Sequence, residues 1–171
     1  MKSILATLAV ALALVGCATV APSVPEGYTG PVATVKDSYT SLGTSTANLF
    51  YLNKLDGREI GDAMRETRMA SYGHGAALTA VVPDRKVPAQ EATFHIVGRT
   101  VHAAPIQSLT QAEYQVIGDV HFAPQPDRVY VVRGELDSTH SAVWIEDDQT
   151  HAVMGKKIEI NGDASLGFFE K

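Results

Sequence analysis

The chain of 171 residues has one cysteine, Cys17, so it can form no internal disulfide and offers no cysteine-ligated metal site. Basic residues are also scarce. Lys and Arg number 14 against 19 Asp and Glu, a formal net charge of −5, which argues against the clustered positive footprint of a nucleic-acid-binding surface. The apolar run Ile4 through Val15 is too short to cross a bilayer: as a helix of roughly 12 residues it spans about 18 Å against ~30 Å of hydrocarbon. Catalytic signatures are missing as well. There is no Gly-x-Ser-x-Gly and no Gly-x-x-x-x-Gly-Lys, and Gly73-His74-Gly75 lacks the third glycine of a dinucleotide fingerprint. What remains, 45% hydrophobic and 19% charged, is the composition of one ordinary globular domain with no cofactor indicated.

The start of the chain carries an address. Met1-Lys2 supplies a small positive region, Ile4 to Val15 an apolar core, and Leu14-Val15-Gly16-Cys17 ends it with a small residue directly before the cysteine. This stretch resembles the lipobox of bacterial lipoproteins. The resemblance implies cleavage between Gly16 and Cys17, a diacylglycerol on the Cys17 thiol and, usually, an acyl group on the new amino terminus. With the thiol consumed, thiol catalysis is excluded too. Each buried methylene contributes about 0.8 kcal/mol, and two or more chains hold a protein stably on a membrane. The competing pattern is an ordinary secretory signal cut near Ala18 or Ala21, with Cys17 incidental. Ala18 follows the cysteine where an aspartate favours inner-membrane retention in enterobacteria-like lipoproteins, so the resemblance implies an outer-membrane anchor on the periplasmic face. The expected organisation is a signal peptide over 1–16, a flexible, proline-interrupted tether over 17–30 and a β domain over 31–171.

Beyond the tether the chain reads as short strands. Val32 to Asp37 is the first, and Ser38 to Thr46 is expected to be loop. Asn48–Asn53 and Arg58–Ile60 flank Asp56-Gly57, a dipeptide that accepts positive φ and predicts a hairpin. Asp62 is a candidate N-cap for one short helix ending near Tyr72, before Gly73-His74-Gly75. Ala76–Val82 is an apolar run closed by Pro83, and Thr93–His102 is a further strand. Tyr114, Val116, Gly118, Val120 and Phe122 share one face of a strand, while Tyr130, Val132 and Leu136 alternate with Arg133 and Glu135. These two segments are expected to be antiparallel neighbours. Trp144, in a Val-Trp-Ile segment, pairs across an Asp147–Thr150 turn with Ala152–Met154. Seven to nine strands with at most one short helix imply a mainly β fold, a single antiparallel β-sandwich. The order of Phe50-Tyr51-Leu52, Asp56 to Ile60, Val87-Pro88-Ala89 and Arg128 to Val132 resembles small uncharacterised lipoprotein domains with a transthyretin-like or immunoglobulin-like sandwich. That resemblance implies no catalytic residues.

Three groups of side chains are candidates for chemistry. Histidines 74, 95, 102, 121, 140 and 151 form no helical His-x-x-x-His pair, and His95 and His102, seven apart, fall on opposite sides of a strand, so no metal site is expected. Asp137-Ser138-Thr139-His140-Ser141 has the residue types of a hydrolase but reads as a polar hairpin loop. Trp144 beside Glu146, Asp147 and Asp148 could hold a sugar on an aromatic platform, or hydrolyse one with paired carboxylates. The plainer expectation is a core indole followed by solvated turn acids. The sequence as a whole points to a non-enzymatic envelope binding or structural module that meets a protein partner through a sheet edge or loops. The alternatives are a glycan- or peptidoglycan-binding module using Trp144, and a hydrolase assembled from distant residues.

Overall fold

A computed structural model describes residues 20–167, 169 and 170; the expected signal peptide and Cys17 lie outside the described residues. In chain order the elements are β1 (Val32–Lys36), β2 (Ser38–Ser41), β3 (Thr46–Leu55), β4 (Arg58–Glu59), α1 (Ala63–Ser71), β5 (Asp84–Pro88), β6 (Ala92–His102), α2 (Pro105–Thr110), β7 (Gln115–Phe122), β8 (Val129–Leu136), β9 (His140–Asp147) and β10 (Val153–Asn161). They build two sheets. The first runs β10-β9-β8-β1-β5, and the second runs β2-β3-β6-β7 with β4 paired to β3.

Alternation along the strands puts one core between the sheets. Val35, Leu52, Phe94, Ile96, Val120, Val132 and Ile145 are all fully enclosed there, and burial of each such side chain contributes about 1.5–3 kcal/mol. A smaller cluster lies on the outer side of the second sheet, where Leu49, Tyr51, Val97 and Val101 are covered by Ala63 and Met64 of α1 and by Leu78, Ala80 and Val82. Both faces of β3 are therefore buried. Its continuous apolar run follows from that double covering.

Several expectations need correction. A second helix, α2, starts with Pro105 at its first turn, where the missing N–H costs nothing, and Gln107 Oε1 accepts from the Ala104 N–H at 3.2 Å. Ser38–Ser41 is a strand, not loop: it pairs antiparallel with β3 despite its polarity, because the ladder is made by backbone groups. Ala76–Val82 is not a strand. Its apolar side chains cap the outer cluster, and the strand after it, β5, turns Arg85 and Val87 inward. β7 and β8 are not neighbours either. β7 pairs with β6 in the second sheet and β8 with β1 and β9 in the first, since the turn at Pro124–Asp127 carries the chain across the core. Nor is the fold wholly antiparallel. β1 and β8 run parallel, Thr34 opposite Val129, because a long excursion through the second sheet separates them and no hairpin sets their direction. The Asp56-Gly57 hairpin and the Asp62 cap, which accepts the Arg65 N–H at 2.8 Å, stand as expected.

A buried carboxylate links the sheets. Asp37 lies between β1 of the first sheet and β2 of the second, with its side chain sealed from solvent. Both of its oxygens accept from the Arg85 guanidinium of β5, each at 2.7 Å, and Oδ1 also accepts the Leu52 N–H of β3 at 3.0 Å. Burial pushes the Asp37 carboxyl up to about 6, against the opposing pull of Arg85 and the backbone donors. A second constraint is steric. A Cβ on Gly134 of β8 would sit 2.4 Å from the Phe50 ring of β3 and 2.5 Å from the Ala142 carbonyl, so glycine makes the slot that the ring fills. The described part of the expected tether lies along this body. Ala21 bridges to Ile60, and the Ser23 hydroxyl donates to the Lys86 carbonyl at 2.6 Å.

Asp37→Ala strands the Arg85 charge and the Leu52 N–H, and urea denaturation should read a loss of about 3–5 kcal/mol. Gly134→Ala should cost about 1–3 kcal/mol in the same assay through overpacking. The folded Asp37 value lies above roughly 3.9 for an unfolded aspartate, so folding takes up a proton between the two. The stability gained from this group is complete below about pH 4 and is lost as the pH rises through about 6. Asp37→Asn should remove that component of the pH profile while other groups keep theirs.

Candidate functional site

The outer face of the first sheet carries the sequence-derived candidates. Val143 and Ile145 of β9 turn into the core, so Trp144 and Glu146 turn out. Trp144 is thus half-buried on an outer face and is not the core indole expected of its apolar neighbours. Its Nε1 donates to Glu146 Oε2 at 3.0 Å, and the Lys157 ammonium of β10 lies 3.9 Å from the ring centroid, a cation–π contact. Glu146 Oε1 accepts from Arg133 Nε at 3.3 Å and pairs with His151 Nδ1 at 3.3 Å. Burial alone would raise this carboxyl, but the hydrogen bonds from Trp144, His151 and Arg133 outweigh it and hold it below the ordinary glutamate range.

Asp147 does not belong to this group. It points to the opposite side of the strand, where Arg128 donates to Oδ2 at 2.6 Å and Oδ1 accepts the N–H groups of Gln149 and Thr150. The Thr150 N–H is the largest influence holding its carboxyl low. It closes the β9–β10 turn, and Asp148, the next acid, reaches Lys36 Nζ at 3.2 Å. The expected solvated acids are therefore both committed. The structure brings together Trp144 and Glu146 and adds Arg133, His151 and Lys157, which no local pattern in the sequence joined to them.

The Asp137–Ser141 segment is the β8–β9 hairpin turn. Asp137 Oδ1 accepts from the Thr139 hydroxyl and N–H and from the His140 N–H, at 2.7, 2.7 and 2.8 Å, which holds its carboxyl below the usual aspartate range. His140 faces Glu135 and Glu159 across the strands, not a serine. On the second sheet, His95 Nδ1 meets Asp119 Oδ1 at 2.6 Å and His121 Nδ1 meets the Thr93 hydroxyl at 2.9 Å. A carboxylate-oriented imidazole is two parts of a proton-transfer triad, but no hydroxyl or thiol nucleophile bonds to His95 among the described residues. No group of three or more His, Cys, Asp and Glu able to hold a metal occurs among the described residues.

A further feature lay outside every sequence pattern. A cavity of about 560 Å³ opens between the C-terminal end of α1 and the β6–α2 junction, lined by Arg68, Ser71, Tyr72, Leu78, His102 and Pro105 among others. Beside it stand exposed apolar side chains, Met69 and Tyr72 at 69% and 90% exposure and Ile106 and Leu109 at 65% and 53%. Only the tertiary arrangement brings the two helices to one rim.

Trp144 is the sole tryptophan, so its emission reports the outer face. The depressed Glu146 should leave that emission flat through about pH 4.3, where an ordinary glutamate titrates, and change it only at lower pH. Glu146→Gln should abolish the change; a midpoint at or above the ordinary value would contradict the assigned hydrogen bonds. No protein-family model, no curated protein and no solved structure matches this chain.

Proposed function

We propose that the protein is an envelope lipoprotein, acylated at Cys17 and held on the periplasmic face of the outer membrane, with a β domain that acts as a non-enzymatic binding or structural module. The two sheets are read as a transthyretin-like or immunoglobulin-like sandwich. The observation that carries the reading is Leu14-Val15-Gly16-Cys17 at the end of a charged start and a short apolar core. It is supported by the nearness of the folded body, since Ala21 already pairs with Ile60.

A sheet edge supports the binding role. β5 carries Arg85, Lys86 and a terminal Pro88, and β10 carries a register shift with Lys156 and Lys157, all devices that discourage strand addition. β2, Ser38-Tyr39-Thr40-Ser41, has neither charge nor proline and ends its sheet. Leu42 donates to the Thr46 carbonyl, so by antiparallel alternation Tyr39 and Ser41 turn their backbone groups away from β3. An extended segment of an envelope protein could pair there. A glycan- or peptidoglycan-binding role has one observation in its favour, the outward Trp144 beside Glu146, although Lys157 occupies a face of that ring.

Cys17→Ser should abolish lipid labelling and release or mislocalise the protein; persistent labelling would refute the anchor. Ser41→Pro removes an outward N–H and spares the bonds to β3, so it should abolish in-cell crosslinks to the partner with the melting temperature little changed. Crosslinks that survive it would exclude the β2 edge. Sedimentation with peptidoglycan that is lost in Trp144→Ala would favour the glycan role instead.

A further inference from the structure

We infer that the outward face of α1, with the exposed apolar pair on α2, is a membrane-docking surface for an anionic phospholipid bilayer; the inference rests on the acylation of Cys17 proposed above. The first argument is where the chain leaves the body. Val20 shares a small cavity wall with Asp62 and Arg65 at the N-terminal end of α1, and Ala21 bridges to Ile60 just before it. Only three peptide units separate Cys17 from Val20. At no more than about 3.6 Å each they reach about 11 Å, so an acylated Cys17 holds this end of α1 within that distance of the bilayer. The chain after Val20 adds no reach, because it is engaged along the domain through Ala21 and Ser23.

The second argument is the chemistry of the face so presented. Arg65, Arg68, Met69 and Tyr72 follow the i, i+3, i+4, i+7 pattern of one helical stripe and are all exposed. Two cations beside an apolar side chain and a tyrosine are the mixture that suits the headgroup layer of a membrane. Neither guanidinium forms an ion pair among the described residues, unlike Arg85, Arg99, Arg128 and Arg133. Ile106 and Leu109, one turn apart on α2, extend the apolar part across the rim of the cavity that Arg68, Tyr72 and Pro105 line. The nine residues of α1 place this apolar end about 14 Å from the exit of the chain, so lipid anchor and protein contact form two points of attachment. The anchor, the α1 stripe and the α2 pair together define a plane of contact, and Trp144, on the outer face of the opposite sheet, then faces away from the membrane.

The test uses the full chain acylated in cells and reconstituted into vesicles of phosphatidylethanolamine and phosphatidylglycerol. With the Cys17 thiol blocked by lipid, Met69→Cys and Glu135→Cys each provide one site for an environment-sensitive fluorophore, on α1 and on the opposite sheet. Quenching by nitroxide-bearing lipids should be several-fold stronger at 69 than at 135, and should weaken in Arg65→Glu/Arg68→Glu protein carrying the same label. Equal quenching at the two sites on acylated protein would overturn the docking face. Concentration-dependent shielding of the label at 69 in detergent without vesicles would assign the face to a second copy of the chain and overturn it as well. The mass of the N-terminal peptide reports acylation separately, so failure of the anchor and failure of the docking face are distinguishable.

Discussion

The architecture depends on a buried carboxylate at the point where the chain changes sheets. Asp37 closes β1, opens the way to β2, holds Arg85 of β5 bidentately and receives an N–H from β3. Four strands from two sheets thus meet at one residue. A buried charge is costly unless its partner and remaining lone pairs are satisfied, and that demand fixes the registers of β1, β3 and β5 relative to one another. The raised carboxyl range shows that burial outweighs the attraction of Arg85.

Close approach of the two sheets elsewhere is set by glycine. Phe50 fills the slot over Gly134 and also lies against Gly98, while Ile158 of β10 covers Gly118 of β7 so closely that a Cβ there would stand 2.8 Å away. Gly155, with φ of 66°, bends β10 at its register shift and brings it beside the backbone of His121. Edges of the two sheets are thereby drawn together at the β7–β10 side. At the opposite end of the second sheet β2 stays open, which is why the binding reading falls on it.

The two outer faces have different characters for the same structural reason. The outer face of the first sheet is polar and internally satisfied, with Glu146 engaged by Arg133, Trp144 and His151. Across the sandwich, α1 and the Leu78–Val82 segment cover part of the second sheet and leave Arg65, Arg68, Met69 and Tyr72 exposed on their own surface. A covering layer lies on one sheet only, so the two outer faces expose different side chains.

The sequence by itself determined the local events. Period-two alternation located β7 and β8, Asp56-Gly57 its hairpin and Asp62 its helix cap, because each depends on a few adjacent residues and their φ preferences. The proposed acylation of Cys17 likewise rests on a short local motif, Leu14 to Cys17. Which strands become neighbours was not legible. Val116 and Val120 of β7 and Tyr130 and Val132 of β8 show the same inward alternation whether their strands pair side by side or face each other across a core, so the pattern named the buried faces but not the sheet. Trp144 misled for a related reason: an apolar neighbourhood in sequence says nothing about a strand's two faces, and the lysine over its ring comes from β10. Tertiary structure alone decided the parallel β1–β8 pair, the Asp37–Arg85 junction and the shared rim of α1 and α2. These are contacts between residues far apart in the chain, and long-range geometry, not local preference, brings them together.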